Sequence, residues 1–358
     1  MSYSNYNQAM NQKFRSINQA LSNEMTIDGE KYLYFGGTAY LGIPQHQAFT
    51  ELYLEGLKRF GLNNGTSRSN NIQFGIYQEA EKVAADRYMA QDALITSSGY
   101  LAAQLTVKKL SAFGQVVYAP NTHPSLWINE QPEAYGTFTN WCEETLQLIN
   151  TSTEKNWVLI SNAMNNLIPE IYDFNFLNHI DPDKNIILII DDSHGIGINH
   201  QGLSVLSALP KRKNISSVVV ASMAKALGVD AGLVLGTAKM ISELKSTNTF
   251  VGASPPTAAG MFAFIHAQQI YQSEWAKLQD NINLFTRSLN HQWKFEPGFP
   301  AFLAHTPGID QHLLNQQILI SSFPYPNQNS MPINRVILCS WHQPSDIDNL
   351  ASTINTFS

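Results

Sequence analysis

Four side chains with complementary chemistry lie close together in the middle of the chain. Asp191 and His194 follow one short apolar run, and Ser222 and Lys225 follow the next. The set combines an acid, an imidazole, a hydroxyl and an amine. Such groups act as general acids, general bases and nucleophiles once they share a site. They can do so here only if the fold brings the ends of the two runs together.

Lys225 and Asp191 together suggest a covalently held cofactor. Lys225 is flanked by small and apolar residues, so burial should lower its pKa and favour the free amine that a Schiff-base lysine needs. Asp191 could keep a pyridine nitrogen protonated, which makes pyridoxal 5'-phosphate (PLP) an electron sink. Alternatively, Lys225 begins a helix and pairs with a surface carboxylate, while Asp191 and Asp192 cap a turn. Lys225 alone fits this alternative better, but the set favours PLP.

The apolar runs predict the elements that position these side chains. Residues 186–190, 217–221 and 233–236 form short, uninterrupted runs with β-branched residues. Such runs are typical of strands buried on both faces of a parallel sheet. Open α/β sheets bind ligands beyond the carboxyl ends of their strands. The sequence therefore predicts that the four side chains converge on one crevice.

Two further segments follow predicted strands and carry candidate binding groups. Ser98-Gly99-Tyr100 opens a helix, where free backbone N–H groups can hold a phosphate. A serine-glycine turn of this kind can equally be a simple helix cap. His123 lies in a loop and could stack on a pyridine ring, although a lone loop histidine is more often solvated.

Residues 190–197 (I-D-D-S-H-G-I-G) and 221–228 (A-S-M-A-K-A-L-G) resemble the two central motifs of the α-oxoamine synthases. Those motifs read D-[DE]-[AS]-H-[GS]-x-G and T-x-[GS]-K-[AG]-x-G. The resemblance implies an α/β, fold-type-I PLP-dependent transferase, like aspartate aminotransferase, with a large, mostly parallel sheet domain and a small C-terminal α+β domain. It also implies C-acyl transfer between a small amino acid (alanine, glycine or serine) and an acyl-CoA or acyl-carrier-protein thioester, in a homodimer.

The resemblance also implies individual roles. Lys225 would hold PLP covalently and move the Cα proton, Asp191 would protonate the ring nitrogen, and His194 would bond the ring hydroxyl. His123 would stack on the ring, and Arg335 would grip the substrate carboxylate, a task that suits a bidentate guanidinium. Asn166 stands where the family has a cofactor-contacting serine. The full set of expected cofactor-binding residues is Ser98, Gly99, Tyr100, His123, Asn166, Asp191, His194, Ser222 and Lys225.

Two segments depart from the family pattern and keep other functions open. Residues 161–170 match it poorly, and Val251 and Gly252 replace hydroxyl residues in the segment expected to reach the partner subunit's phosphate site. Because a fold does not determine its chemistry, amino-group transfer or another PLP-dependent amino-acid reaction is an alternative. A PLP-binding partner subunit without catalytic activity is another.

Composition limits the remaining possibilities. The chain has 358 residues, 44% of them hydrophobic and 14% charged, with a net charge of -6, which argues against a nucleic-acid surface. Two cysteines are too few for a disulfide framework, no apolar run approaches a membrane span, and no secretory signal is visible, so we expect a cytoplasmic protein. Three divisions are predicted: an N-terminal arm with a short strand (1–45), a large PLP-binding domain (46–250) and a C-terminal part (251–358). The C-terminal part would contain an interface segment, one long helix (257–290) and a small α+β domain.

Overall fold

The computed structural model describes residues 13, 14, 16–165, 167–289, 293–304, 306–324 and 330–357. The chain divides into two compact units. The larger unit comprises Gln47–Trp275, and the smaller unit combines the chain up to His46 with the chain from Ala276 onward. Among the described residues, none of the helices has the length and apolar character needed to cross a bilayer.

The strands are numbered along the chain as β1 (Glu24–Ile27), β2 (Glu30–Phe35), β3 (Asp92–Thr96), β4 (Gln115–Tyr118), β5 (Asn156–Asn162), β6 (Met164–Asn165), β7 (Glu170–Ile171), β8 (Asn185–Asp191), β9 (Ile215–Ser222), β10 (Gly232–Gly236), β11 (Trp293–Phe295), β12 (Ala301–Ala304), β13 (Ile318–Pro324) and β14 (Pro332–Ile337). The main helices are α1 (Gln47–Phe60), α2 (Ile76–Arg87), α3 (Gly99–Leu110), α4 (Phe138–Thr151), α5 (Ala238–Lys245), α6 (Asn248–Gly252), α7 (Ala258–His266), α8 (Gln268–Ser288), α9 (Ile309–Asn315) and α10 (Pro344–Asn355).

The larger unit is built on a six-stranded sheet with the order β3-β10-β9-β8-β5-β4. Strands β4, β5, β8 and β9 are parallel, which confirms the predicted strands at 186–190 and 217–221 as neighbours. Strand β10 is antiparallel to both β9 and β3, so the prediction of a parallel strand at 233–236 was wrong. The connection from Ser222 to Gly232 is too short for the crossover that a parallel neighbour requires.

Serine and threonine caps start the helices of the larger unit. Each of α3 to α7 begins after a residue whose hydroxyl accepts the backbone N–H three positions later, namely Ser98, Thr137, Thr237, Thr247 and Thr257. Such caps satisfy N–H groups that the helix itself leaves without acceptors. They fix where each helix begins relative to the strand or loop before it.

The single long helix predicted for 257–290 is instead two helices, α7 and α8, which are separated at Ala267. Helix α7 is buried almost throughout and packs on α1 and α2, whereas α8 alternates buried and exposed positions. The packing of α7 also accounts for a difference in the domain boundary. The larger unit extends to Trp275, whereas the predicted boundary was residue 250.

The smaller unit contains a second six-stranded sheet with the order β1-β2-β13-β14-β12-β11. In the segment predicted as an N-terminal arm with a short strand, strand β1 pairs with β2 in a hairpin. Asp28 and Gly29 form the turn with φ angles of 54° and 81°, the left-handed pair that a tight hairpin favours. Since β2 also pairs with β13, this N-terminal segment is part of the small unit's sheet and not a separate arm.

Candidate active site

Three parallel strands end side by side at one edge of the larger unit's sheet. Asn162 at the end of β5 lies beside Asp191 at the end of β8, and Asp191 lies beside Val220 of β9. The backbone N–H of Ser222 donates to the Ser193 hydroxyl at 2.8 Å. The turn after β8 is therefore hydrogen-bonded to the end of β9, and the structure brings Asp191 and Ser222 to one edge as predicted.

Lys225 lies in a turn and not at the start of a helix, so that part of the alternative interpretation was wrong. The turn is closed by the N–H of Met223, which donates to Ala231 O at 2.9 Å, and by the hydroxyl of Tyr271, which donates to Leu227 O at 2.8 Å. Burial lowers the pKa of Lys225, and the negative charge of Asp191 opposes this effect. The two groups are thus electrostatically coupled, and the lysine is biased towards its nucleophilic form.

The Ser98-Gly99-Tyr100 turn approaches Ser222 closely. A Cβ placed on Gly99 would lie 2.6 Å from Ser222 Cβ and 2.7 Å from its Cα, so only glycine fits without a shift of the backbone. The Ser98 hydroxyl caps α3 by accepting the N–H of Leu101, while helix geometry leaves the N–H groups of Gly99 and Tyr100 without intrahelical acceptors. These N–H groups and the Ser222 hydroxyl form a donor set that fits a phosphate.

We expect Gly99→Ala to destabilise the larger unit by about 1–3 kcal/mol, because the added methyl meets backbone atoms that cannot rotate away. The matched control is Gly75→Ala. Gly75 lies at the start of a helix as well, and a Cβ there would meet nothing within 4 Å. Urea unfolding of both variants measures the effect. Equal stability of the two would contradict the close approach of Gly99 to Ser222.

His123 lies in a tightly held turn after β4. Its Nδ1 lies 2.7 Å from the Ser125 hydroxyl and accepts the N–H of Ser125 at 3.2 Å. A nitrogen that accepts an N–H carries no proton, so the neutral ring has its proton on Nε2. The side-chain amide of Gln104, on α3, donates to the carbonyls of Ser125 and Trp127 at 2.9 Å each. Helix α3 therefore links the Ser98-Gly99-Tyr100 turn to the histidine segment.

Asp192 is a buried carboxyl group next to the candidate site. Its Oδ2 accepts the N–H of Val205 at 2.8 Å, whereas Oδ1 has no hydrogen-bond partner in the part of the chain that the structure describes. A Cβ on Gly195 would lie 2.3 Å from that Oδ1, so a side chain at position 195 would force the Asp192 carboxyl group to move. Burial raises the pKa of Asp192 to about 7, in opposition to the hydrogen bonds from Val205 and Ser204.

This raised pKa predicts a pH-dependent stability. The pKa of an aspartate in the unfolded chain is about 3.9, and that of Asp192 in the folded chain is about 7. Between these two pH values the unfolded chain has lost this proton and the folded chain still holds it, so the free energy of unfolding falls as pH rises. Asp192→Asn cannot ionise, and we expect its stability relative to wild type to increase by about 2–4 kcal/mol across this window. Denaturant unfolding at several pH values measures the difference. Asp181→Asn, at an exposed carboxylate, is the control, and parallel curves for wild type and Asp192→Asn would contradict the prediction.

The remaining predicted residues are placed as follows. His194 is partly exposed in the turn after β8, and Asp191 Oδ1 accepts the N–H of Ser193 in that turn at 2.9 Å. Arg335 lies on β14 in the smaller unit and is 8% exposed. Burial lowers its pKa, and Tyr40 opposes this shift. Asn166 lies outside the described residues.

Two side chains in this region were not predicted as functional. Asn162 binds backbone groups on both sides of Thr122, and Gln104 binds the backbone after His123. Asn162 lies in the segment 161–170 that matches the family pattern poorly, and Gln104 gave no signal because its partners are backbone carbonyls distant in sequence. Neither contact follows from the spacing of residues along the chain.

Comparisons with known proteins identify the family of the chain. The family model for aminotransferase class I and II matches residues 35–354. The chain is 22% identical to 8-amino-7-oxononanoate synthase from Nitrosomonas europaea over 357 residues, which covers 93% of this chain and 91% of that protein.

Solved structures show the same fold. Serine palmitoyltransferase from Sphingomonas wittichii superposes with a TM-score of 0.81 at 15% identity, covering 99% of this chain and 95% of that one. For 8-amino-7-oxononanoate synthase from Francisella tularensis the TM-score is 0.68 at 18% identity, with coverage of 90% and 96%. The resemblance to the α-oxoamine synthases is confirmed. The chain belongs to the aminotransferase class I and II family, and it is a PLP-dependent enzyme with the fold-type-I transferase fold.

Proposed function

We propose that this enzyme is a C-acyltransferase that joins a small amino acid, namely alanine, glycine or serine, to the acyl group of a thioester. The observation that carries the proposal is that Asp191 ends β8 and Lys225 follows the end of the neighbouring parallel strand β9. Burial lowers the pKa of the lysine, and the negative charge of Asp191 opposes this shift. The names of relatives that match over most of the chain favour acyl transfer among the reactions of the family.

Bound PLP supplies an electron sink for the electrons of the substrate's α-carbon. In our proposal, Lys225 would hold the cofactor and accept the substrate's α-proton on Nζ, and the Asp191 carboxylate would keep the ring nitrogen protonated. His194 would bind the ring hydroxyl, and His123 would contact the ring face. The N–H groups of Gly99 and Tyr100 and the Ser222 hydroxyl would bind the phosphate. Arg335 would hold the substrate carboxylate.

The proposal extends to the specific reaction and assembly. We propose an 8-amino-7-oxononanoate synthase-like reaction, with a place in biotin biosynthesis in the cytoplasm.

We also propose a homodimer in which residues 250–256 of each subunit contact the partner. Two hydrogen bonds support a fixed conformation of this segment. The N–H of Arg68 donates to Ala253 O at 3.3 Å, and the Tyr77 hydroxyl donates to Pro256 O at 3.1 Å. Sedimentation of the PLP-loaded protein tests the dimer, and a monomer that binds PLP at full strength would contradict it.

A substrate titration tests the reaction. PLP-loaded protein is titrated with alanine, glycine and serine while the cofactor absorption is followed, and acyl-CoA thioesters of different chain lengths are then added. We expect free thiol to be released only when the correct amino acid and thioester are both present. Formation of a keto acid without thiol release would instead support amino-group transfer, the second candidate that residues 161–170 keep open.

A further inference from the structure

We propose that Asn162 is a positioning residue for His123. Asn162 is the last residue of β5 and is 5% exposed. It holds the backbone of the segment that carries the histidine, so that the imidazole is presented to the cofactor at a fixed place. The inference rests on the proposed function only where it assigns His123 to the cofactor. The hydrogen bonds between Asn162 and the histidine segment do not depend on a bound cofactor.

The contact is a two-point clamp across a tight turn. Asn162 Oδ1 accepts the N–H of His123 at 3.1 Å, and Asn162 Nδ2 donates to the carbonyl of Asn121 at 2.7 Å. Asn121 has a φ of 57°, a left-handed conformation that asparagine tolerates but that needs support from its surroundings. One amide therefore satisfies a donor and an acceptor on opposite sides of the turn.

Only an amide of this length fulfils both roles. An ionised aspartate could accept the N–H of His123, but it has no donor for the Asn121 carbonyl. It would also place a charge at a buried position opposite a carbonyl oxygen, which is unfavourable.

The clamp complements the contacts that orient the ring. Ser125 fixes Nδ1 of His123, and Gln104 holds the backbone after it. Asn162 supplies the contacts before and at His123. Without it the bonds to Ser125 and the bond from the Ala119 N–H to Ile160 O would remain, but the turn at residues 121–123 would lose its two bonds to the end of β5.

Amide hydrogen exchange of cofactor-free protein tests the clamp directly. We expect Asn162→Asp and Asn162→Ala to increase exchange in the peptide 119–127 by about ten-fold or more, because a buried hydrogen bond is lost. Asn156→Asp is the matched control, since Asn156 lies at the exposed other end of β5. Exchange across β8 shows whether the variants remain folded. Unchanged exchange in 119–127 in both folded variants would overturn the clamp.

Circular dichroism of bound PLP tests the link to the cofactor. We expect Asn162→Ala and His123→Ala each to reduce the visible signal at least two-fold, and the double variant to show no further reduction, since both changes act through one contact. Additive losses would show that Asn162 acts independently of His123 and would overturn the proposal. Neither readout requires acyl transfer, so failure of the proposed reaction leaves this test intact.

Discussion

Lys225→Ala is expected to abolish covalent attachment of PLP and to reduce turnover by at least about 10³-fold, since proton transfer by one positioned group commonly contributes 10²–10⁴-fold. Lys225 is coupled to Asp191 in a partly buried turn, and alanine offers neither a nucleophile nor a proton carrier. The cofactor absorption of the purified variant and its rate of thiol release measure the two losses.

Two control variants show whether the loss of activity in Lys225→Ala comes from the missing amine, from the missing charge or from impaired folding. Lys225→Arg keeps a cation but cannot form the covalent link, and it should be as inactive as the alanine variant. Lys213→Ala removes an exposed lysine at the opposite end of β9 and should behave as wild type. If Lys225→Ala still held PLP covalently, the assignment of this lysine would be wrong.

Asp191→Asn is expected to bind PLP but to slow exchange of the substrate's α-proton by about 10²–10⁴-fold. A neutral amide cannot hold the ring nitrogen protonated, so the cofactor loses most of its capacity to accept electrons. Asparagine keeps the shape of the side chain, and its Oδ1 can still accept the N–H of Ser193. Loss of deuterium from α-deuterated alanine, glycine or serine, followed by mass spectrometry, measures the step.

Asp181→Asn serves again as the control because its carboxylate is exposed and lies before β8, at the opposite end from Asp191. It should exchange the α-proton at the wild-type rate. An Asp191→Asn variant that exchanges as fast as this control would show that Asp191 is not the partner of the ring nitrogen.

The sequence predicted the structure best where a short apolar run is followed by reactive side chains. Strands β8 and β9 were predicted within about two residues, because uninterrupted apolar runs of this length suit only deeply buried elements. Asp191 and Ser222 end these strands and Lys225 lies three residues beyond β9, so their convergence on one sheet edge could be anticipated from strand ends alone. The family motifs added an individual role for each of these residues.

Other features depended on contacts between distant segments. Residues 1–45 were predicted as an N-terminal arm with a short strand, whereas the alternation of buried and exposed residues in β1 and the Asp28-Gly29 turn form a hairpin. The separation of α7 from α8 occurs at Ala267, a residue that does not normally interrupt a helix. Asn162 contacts backbone about 40 positions earlier in the chain, which no local pattern reveals.

Borohydride reduction of the PLP-loaded protein tests the central claim most directly. The reagent converts the link between lysine and cofactor into a stable bond, and peptide mass spectrometry then identifies the modified residue. We predict that the cofactor is recovered on the single peptide that contains Lys225, and that the label is absent from Lys225→Ala. Recovery of the label on any other lysine would contradict the proposed site.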